Sequence, residues 1–314
     1  PEHMFRITKE MQDWAIRSDA IVFQMLHTTH GLELFRAVKE LVPRVPILSE
    51  IDDHMISTPI YNAADPYYAP GSEMREVAIH QFKESDGMIV STSYLRNEVY
   101  SEFNQNIHVV PNAIDFKIWD KLKRKSRPGI RIGWAGGASH DEDLKILETI
   151  IPRVVERHKE VKFVFVHGLP HSLRGLKGVE YVPKFTRIDK YPGFLASLDF
   201  DIGIAPLVDN AFNRGKSNLR WLEYSALGIP TVASKVGHFA ETIKDGSDGF
   251  LAHNAEVFEH RLEQLITDKE CRKKMGLTAN ERIRHDFNVD YVVGRYVAAL
   301  NYTIKKKVPQ EIMA

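Results

Sequence analysis

The 314 residues, 43% of them hydrophobic, are enough for two domains of about 100 to 200 residues, each with a packed core. Lysine plus arginine equal aspartate plus glutamate at 42 each, which excludes a global field drawing in nucleic acid or an anionic membrane and leaves only local basic patches. One cysteine, Cys271, excludes an intramolecular disulfide and points to a reducing, cytoplasmic compartment; no apolar run exceeds strand length, so no segment is expected to span a bilayer.

Pro1-Glu-His-Met4 reads as a leader left by cloning, with the protein proper starting at Met4 or Phe5 and no signal peptide. An apolar strand is expected over 20–26, then a polar turn over 27–31 and a helix over 32–41. Pro43 and Pro46 frame a strand over 47–51, which ends in Asp52-Asp53-His54. Residues 57–72 lack either periodicity and read as a long loop, of the kind that holds ligands beside strand ends. A helix over 73–84, a strand over 87–90, a helix over 91–103 and a strand over 107–110 complete this half, and a basic linker covers 121–127. No strand, glycine-rich turn and helix precede Asp19, so either the sequence starts inside the domain or the domain is reduced.

The second half opens with a strand over 130–135 and the turn Gly136-Gly-Ala-Ser-His-Asp141, followed by a helix from about Asp143. Glycines before a helix amino terminus suit an anion. Strands follow over 162–166, 179–182 and 201–208. The last, buried and parallel, runs into Asn213-Arg-Gly-Lys-Ser217, where glycine permits close backbone approach, Lys216 supplies a point charge and Ser217 caps a helix from Asn218. That is a pocket for a phosphate. Trp221, Leu222, Tyr224 and Leu227 point into packing, Gly228 and Pro230 stop the helix, and a strand covers 231–234. Helices over 256–267, 269–285 and 289–302 close the chain.

Lys216 at a helix start is mildly unfavourable with the dipole, which weighs toward a ligand contact. Glu223, in an otherwise apolar helix face, either pairs with Arg220 three residues earlier or binds a ligand. His140 gains interest only from its place after the two glycines. Asp52 and Asp53 suit a hard cation by type, yet consecutive residues of an extended segment point oppositely, so no metal site is expected. Trp134 and Trp221 are expected in the core.

The run Leu222-Glu-Tyr-Ser-Ala-Leu-Gly-Ile-Pro-Thr-Val-Ala-Ser234, with Glu241-Thr-Ile-Lys-Asp-Gly-Ser-Asp-Gly249 and Pro111-Asn-Ala-Ile-Asp115, resembles the donor-sugar half and domain exit of retaining GT-B glycosyltransferases of the family 4 type. Two positions depart from the pattern: where the family has its first glutamate, eight before Glu223, stands Gly215, and in the first domain's strand-end T-x-H-D the histidine position is Asp52, with Asp53 at the aspartate position. The resemblance implies two Rossmann-like domains with parallel sheets facing across a cleft: residues 5–115 on the acceptor side, 128–285 on the donor side, and a 286–314 segment returning to the first. It implies a nucleoside diphosphate sugar, of UDP or GDP type, as co-substrate without cofactor or metal. The acceptor hydroxyl would belong to a saccharide, lipid carrier, protein or modified nucleobase. Lys216 and His140 would stabilise the departing diphosphate with the backbone at Gly136, Gly137 and Ser217; Glu223 would hold the ribose; Phe185 would border the base; Asp53 would stand on the acceptor side. The missing glutamate would imply either an unusual sugar or a substitute on the same loop, Asp209, Asn210 or Asn213, of which Asn213 is the nearest. The reaction implied is transfer with retention, the leaving phosphate receiving the acceptor proton. The alternatives are a nucleotide-sugar epimerase of the same fold and a degenerate nucleotide-sugar-binding subunit.

Overall fold

The computed structural model describes residues 7–307 apart from 26, 57, 63, 64, 126, 138, 139, 184 and 185; Pro1–Met4 and Phe185 lie outside the described residues. The chain divides into two compact units: Pro1–Pro111 with Gly215–Ser217 and Val293–Ala314, and Asn112–Arg214 with Asn218–Val292.

The first unit is built on four parallel strands in sequential order: β1 (Ile21–Gln24), β2 (Ile47–Ile51), β3 (Gly87–Val90) and β4 (Ile107–Val109). β3 is buried along its whole length, which is why it reads as an unbroken apolar run. Helices Thr29–Leu41 and Glu73–Glu84 supply Phe35, Val38 and Phe82 to the core; Thr28 caps the first by accepting from Gly31 N at 3.0 Å. The helix expected over 32–41 therefore starts three residues earlier, at its polar cap. The expected 91–103 helix holds a π-helical stretch, Leu95–Tyr100, and the 57–72 loop holds one short turn of helix, Asp65–Tyr68. The chain from Val293 belongs to this unit too. Its Ala299 packs with Leu48 and Ile89, and Lys307 pairs with Asp86 at 2.6 Å.

The second unit has six parallel strands: β5 (Ile130–Ala135), β6 (Val161–Val166), β7 (Val179–Val182), β8 (Ile202–Ala205), β9 (Thr231–Ser234) and β10 (Phe250–Ala252). Their spatial order, β10-β9-β8-β5-β6-β7, is the doubly wound arrangement: the chain starts centrally, builds outward to β7, then returns to β8 on the other side of β5. One face buries Phe200, Trp221, Leu222 and Tyr224; the other buries Trp134, Phe163, Phe165 and Phe258. Both tryptophans are fully covered, as expected. The aromatic layer lies directly on the strands. A Cβ at Gly133 would stand 2.2 Å from the Phe200 ring and one at Gly203 2.3 Å from Tyr224. β8 stops before Pro206, short of the expected 208, because proline cannot donate to the ladder.

Candidate functional site

In a doubly wound sheet, ligands bind outside the carboxyl ends of the strands where the order reverses. In the second unit that point lies between β5 and β8, so the turn after Ala135 and the loop after Ala205 are the two candidates topology selects.

The β5 turn carries Gly136 and Gly137. A Cβ at Gly136 would meet Arg220 Nη2 and Trp134 at 2.5 Å, so this glycine is needed for packing; at Gly137 the space is open. The helix expected from Asp143 is two pieces, a single turn Asp141–Leu144 and then Ile146–Arg157. Its first turn is Asp141, Glu142 and Asp143, a favourable set for the helix dipole and a poor seat for a phosphate. The cation beside the turn is Arg220, whose Nε donates to Ala135 O at 3.0 Å and whose guanidinium lies 5.1 Å from the Trp134 ring centre.

His140 is buried, edge-on to Trp134, with Nδ1 at 2.7 Å from Asp143 Oδ2. The Asp143 carboxylate is 1% exposed and also accepts from Val208 N at 2.8 Å and Asn213 Nδ2 at 2.7 Å through Oδ1. One buried carboxylate thus orients the histidine and ties the β8 loop to the β5 side. Asn213 is correspondingly a strut. Its side chain is 1% exposed and its amide nitrogen is donated to Asp143 and, at 2.9 Å, to Val208 O, so it offers that nitrogen to no sugar. The helix after the loop is Leu219–Ala226; its cap is Asn218, whose own side chain makes no capping bond.

Glu223 lies half-buried on that helix and accepts from the Tyr191 hydroxyl at 3.2 Å. Burial pushes its carboxyl up to about 7, with Arg220 and the Tyr191 hydrogen bond pulling the other way. Tyr191 is itself pushed up, by burial first and the neighbouring Glu223 charge second. A carboxyl poised near neutrality beside an arginine and a tyrosine can accept hydrogen bonds from a vicinal diol once ionised.

Lys216, Ser217 and Asp53 fall in the first unit. The Lys216 ammonium is 3.5 Å from Asp53 Oδ2, with its side chain 17% exposed, and Asp53 Oδ1 accepts from His54 N at 3.1 Å. Asp52 is pushed up by burial and by Asp53, against a lowering influence of Lys216. Gly215 is closely covered: a Cβ there would be 2.9 Å from Leu95 Cδ2 and 3.2 Å from His54 Cβ, so a side chain would have to displace these neighbours. Its carbonyl accepts from Thr92 Oγ1 at 3.4 Å. Among the described residues no group of three or more His, Cys, Asp or Glu is placed to hold a metal ion, and no helix is long and apolar enough to cross a membrane.

Three residues of this arrangement escaped the sequence. Asp143 sits in a run of three acids with nothing local to mark the buried one, Tyr191 is 32 residues from Glu223, and Arg220 was legible only as an ion-pair partner.

Two α/β units on parallel sheets, the second doubly wound, define a chain of GT-B fold. Residues 129–268 match the family model described as Glycosyl transferases group 1, so the resemblance carried by the 222–249 motifs stands. The chain is 34% identical over 74 residues to trehalose synthase of Pyrococcus horikoshii, which is 24% of this chain and 18% of that enzyme. It is 30% identical over 77 residues to N-acetyl-alpha-D-glucosaminyl L-malate synthase of Bacillus anthracis, 24% of this chain and 20% of that one. The matched segments thus span about a fifth of these relatives' lengths. Among solved structures, Anabaena HepE in complex with UDP and glucose superposes with a TM-score of 0.65 at 16% identity, over 93% of this chain and 80% of that one.

Proposed function

We propose that the protein is a glycosyltransferase that moves a sugar from a nucleoside diphosphate sugar to a hydroxyl acceptor with retention at the anomeric carbon. The observation that carries the reading is the Glu223 cluster. A carboxyl raised to about 7 stands with Arg220 and Tyr191 on the helix after β8, and Arg220 reaches Ala135 at the end of β5. This sits at the switch point of the unit that matches the group 1 family model.

Glu223 accepts the two ribose hydroxyls, exchanging the single Tyr191 donor for a diol. Arg220, with the open backbone at Gly137, faces the diphosphate, where negative charge grows as the glycosidic bond breaks. Lys216 adds a second positive charge and His140, oriented by Asp143, a hydrogen-bond donor to the transferring group. Asp53 holds Lys216 and stands on the acceptor side. The acceptor oxygen attacks from the face the diphosphate leaves, and the departing phosphate oxygen takes its proton. Uridine is the favoured base, since the HepE structure holds UDP.

Gly215 separates this chain from the usual family pattern, because Leu95 and His54 occupy the space a side chain would need. The sugar hydroxyls are therefore held by other groups. The test is incubation with UDP-glucose, UDP-N-acetylglucosamine and GDP-mannose, each radiolabelled, followed by separation of free sugar and nucleotide. Slow donor hydrolysis with one of them, abolished in Glu223→Ala, is expected; isomerised sugar without release points to an epimerase, and binding without turnover to a non-catalytic subunit.

A further inference from the structure

We propose that Asn218 is the residue of the second unit that holds the transferred sugar, its side-chain amide donating to one hydroxyl and accepting from another. The inference rests on the glycosyltransferase reading and names a group that this reading leaves open. Asn218 is 0% exposed, and neither its Nδ2 nor its Oδ1 has a hydrogen-bond partner. Among the described residues no other buried side chain leaves both a nitrogen and an oxygen unmet. Native interiors hold few such groups, because each has given up water without return.

The position of this side chain sharpens the point. Asn218 O accepts from Leu222 N at 3.1 Å, which makes Asn218 the N-cap of the Leu219–Ala226 helix. An asparagine there ordinarily turns its oxygen onto an N–H of the first turn, and this one makes no such bond. It stands at the amino end of the helix that carries Arg220 and Glu223, with its own amide uncommitted. The polar side chains of the preceding loop are spent. Asp209 pairs with Arg214 at 2.6 Å, Asn210 Oδ1 accepts from Asn213 N at 2.8 Å, and the Asn213 nitrogen is shared between Asp143 and Val208 O.

The chemistry of the amide selects the ligand. It needs an acceptor for Nδ2 and a donor for Oδ1 at once. The oxygens of an ionised diphosphate only accept, and a cation would leave Nδ2 unmet. A carbohydrate hydroxyl both donates and accepts, and neighbouring hydroxyls meet both ends of one carboxamide. Because the side chain is closed to solvent, a sugar reaches it only as its cover shifts, and the two bonds then made offset that shift.

The experiment is calorimetry with whichever of UDP-glucose, UDP-N-acetylglucosamine and GDP-mannose the wild type binds most tightly, beside the matching nucleoside diphosphate, together with thermal unfolding of the free proteins. Asn218→Ala should bind the nucleotide sugar about 30-fold more weakly and the nucleoside diphosphate within about two-fold of the wild type. Asn218→Ser, whose hydroxyl donates and accepts, should recover part of that loss. Free Asn218→Ala should unfold no lower than the wild type, because no hydrogen bond of the free protein is lost. The inference is overturned if Asn218→Ala binds both ligands as the wild type does, if it loses both equally, as a base or ribose contact would, or if Tm falls while sugar affinity holds. A wild type that binds the nucleoside diphosphate yet gains nothing from the sugar overturns it as well. A wild type that binds no nucleotide at all overturns the glycosyltransferase reading and this inference with it.

Discussion

The buried carboxylate of Asp143 accepts the Asn213 amide at 2.7 Å, joining the short helix after the Gly136–Gly137 turn to the loop after β8, seventy residues further on. Through its other oxygen it holds His140. Asp143→Ala leaves the Val208 N–H, the Asn213 amide and the imidazole without their acceptor. A loss of about 3 kcal/mol in unfolding free energy is expected from urea denaturation. Asp143→Asn, which keeps the shape and one acceptor oxygen, should lose about half of that. Equal stability of all three proteins would refute the role.

Under the proposed ribose contact, nucleotide affinity depends on pH through Glu223. Its folded carboxyl titrates at about 7, above the ordinary 4.5, because burial penalises the charge. A raised acid contributes stability that is complete below its unfolded value and lost as pH rises through the folded one, so this contribution falls between about 4.5 and 7. Ribose hydroxyls need the ionised form, so UDP should bind about thirty-fold more tightly at pH 8 than at pH 5.5 by calorimetry. In Glu223→Gln the dependence should flatten and apparent Tm near pH 8 should rise by about 2 °C. A pH-independent wild type would sink the assignment.

Lys216 carries charge where the structure places a partly exposed acid, Asp53, at 3.5 Å. A pair of this exposure contributes little to folding, below about 1 kcal/mol. Its removal should therefore appear in catalysis: Lys216→Ala is expected to lower donor turnover about 100-fold, with Lys216→Arg intermediate. Thermal unfolding recorded beside the assay separates the two effects. A large drop in Tm with preserved turnover would mean that Lys216 is structural.

Restoring a side chain at Gly215 should be costly. With Leu95 Cδ2 2.9 Å from the position of its Cβ, Gly215→Ala should cost about 1 kcal/mol, and Gly215→Glu more. Turnover should not rise in Gly215→Glu. Pairing either change with Leu95→Ala should recover part of what Gly215 substitution costs beyond the single Leu95→Ala, a coupling that a double-mutant cycle measures. Additivity would show that the two residues do not share this space.

Strands β2, β3, β5, β7 and β9 were legible to the residue because each is a short apolar or β-branched run bounded by Gly, Pro or polar groups. The Glu73–Glu84 helix was equally clear, with both ends where the sequence puts them. β10 was not: three residues inside a glycine-rich stretch leave no period to read, and β9 pairing alone makes them a strand. Nothing local in the run 141–143 told which of its carboxylates would be buried.

Local chemistry therefore determined the parallel α/β class and the glycine-rich turns, because these follow from neighbours in the chain, while Glu223 was singled out by the resemblance of the 222–234 motif. Which groups meet was decided only by tertiary packing. Asp143 with Asn213, Tyr191 with Glu223, and Arg220 with the Ala135 carbonyl are joined by strand order and by the aromatic layer beneath Gly133 and Gly203. A carboxyl becomes a near-neutral acid only when packing takes its water away, and no spacing along a sequence encodes that loss.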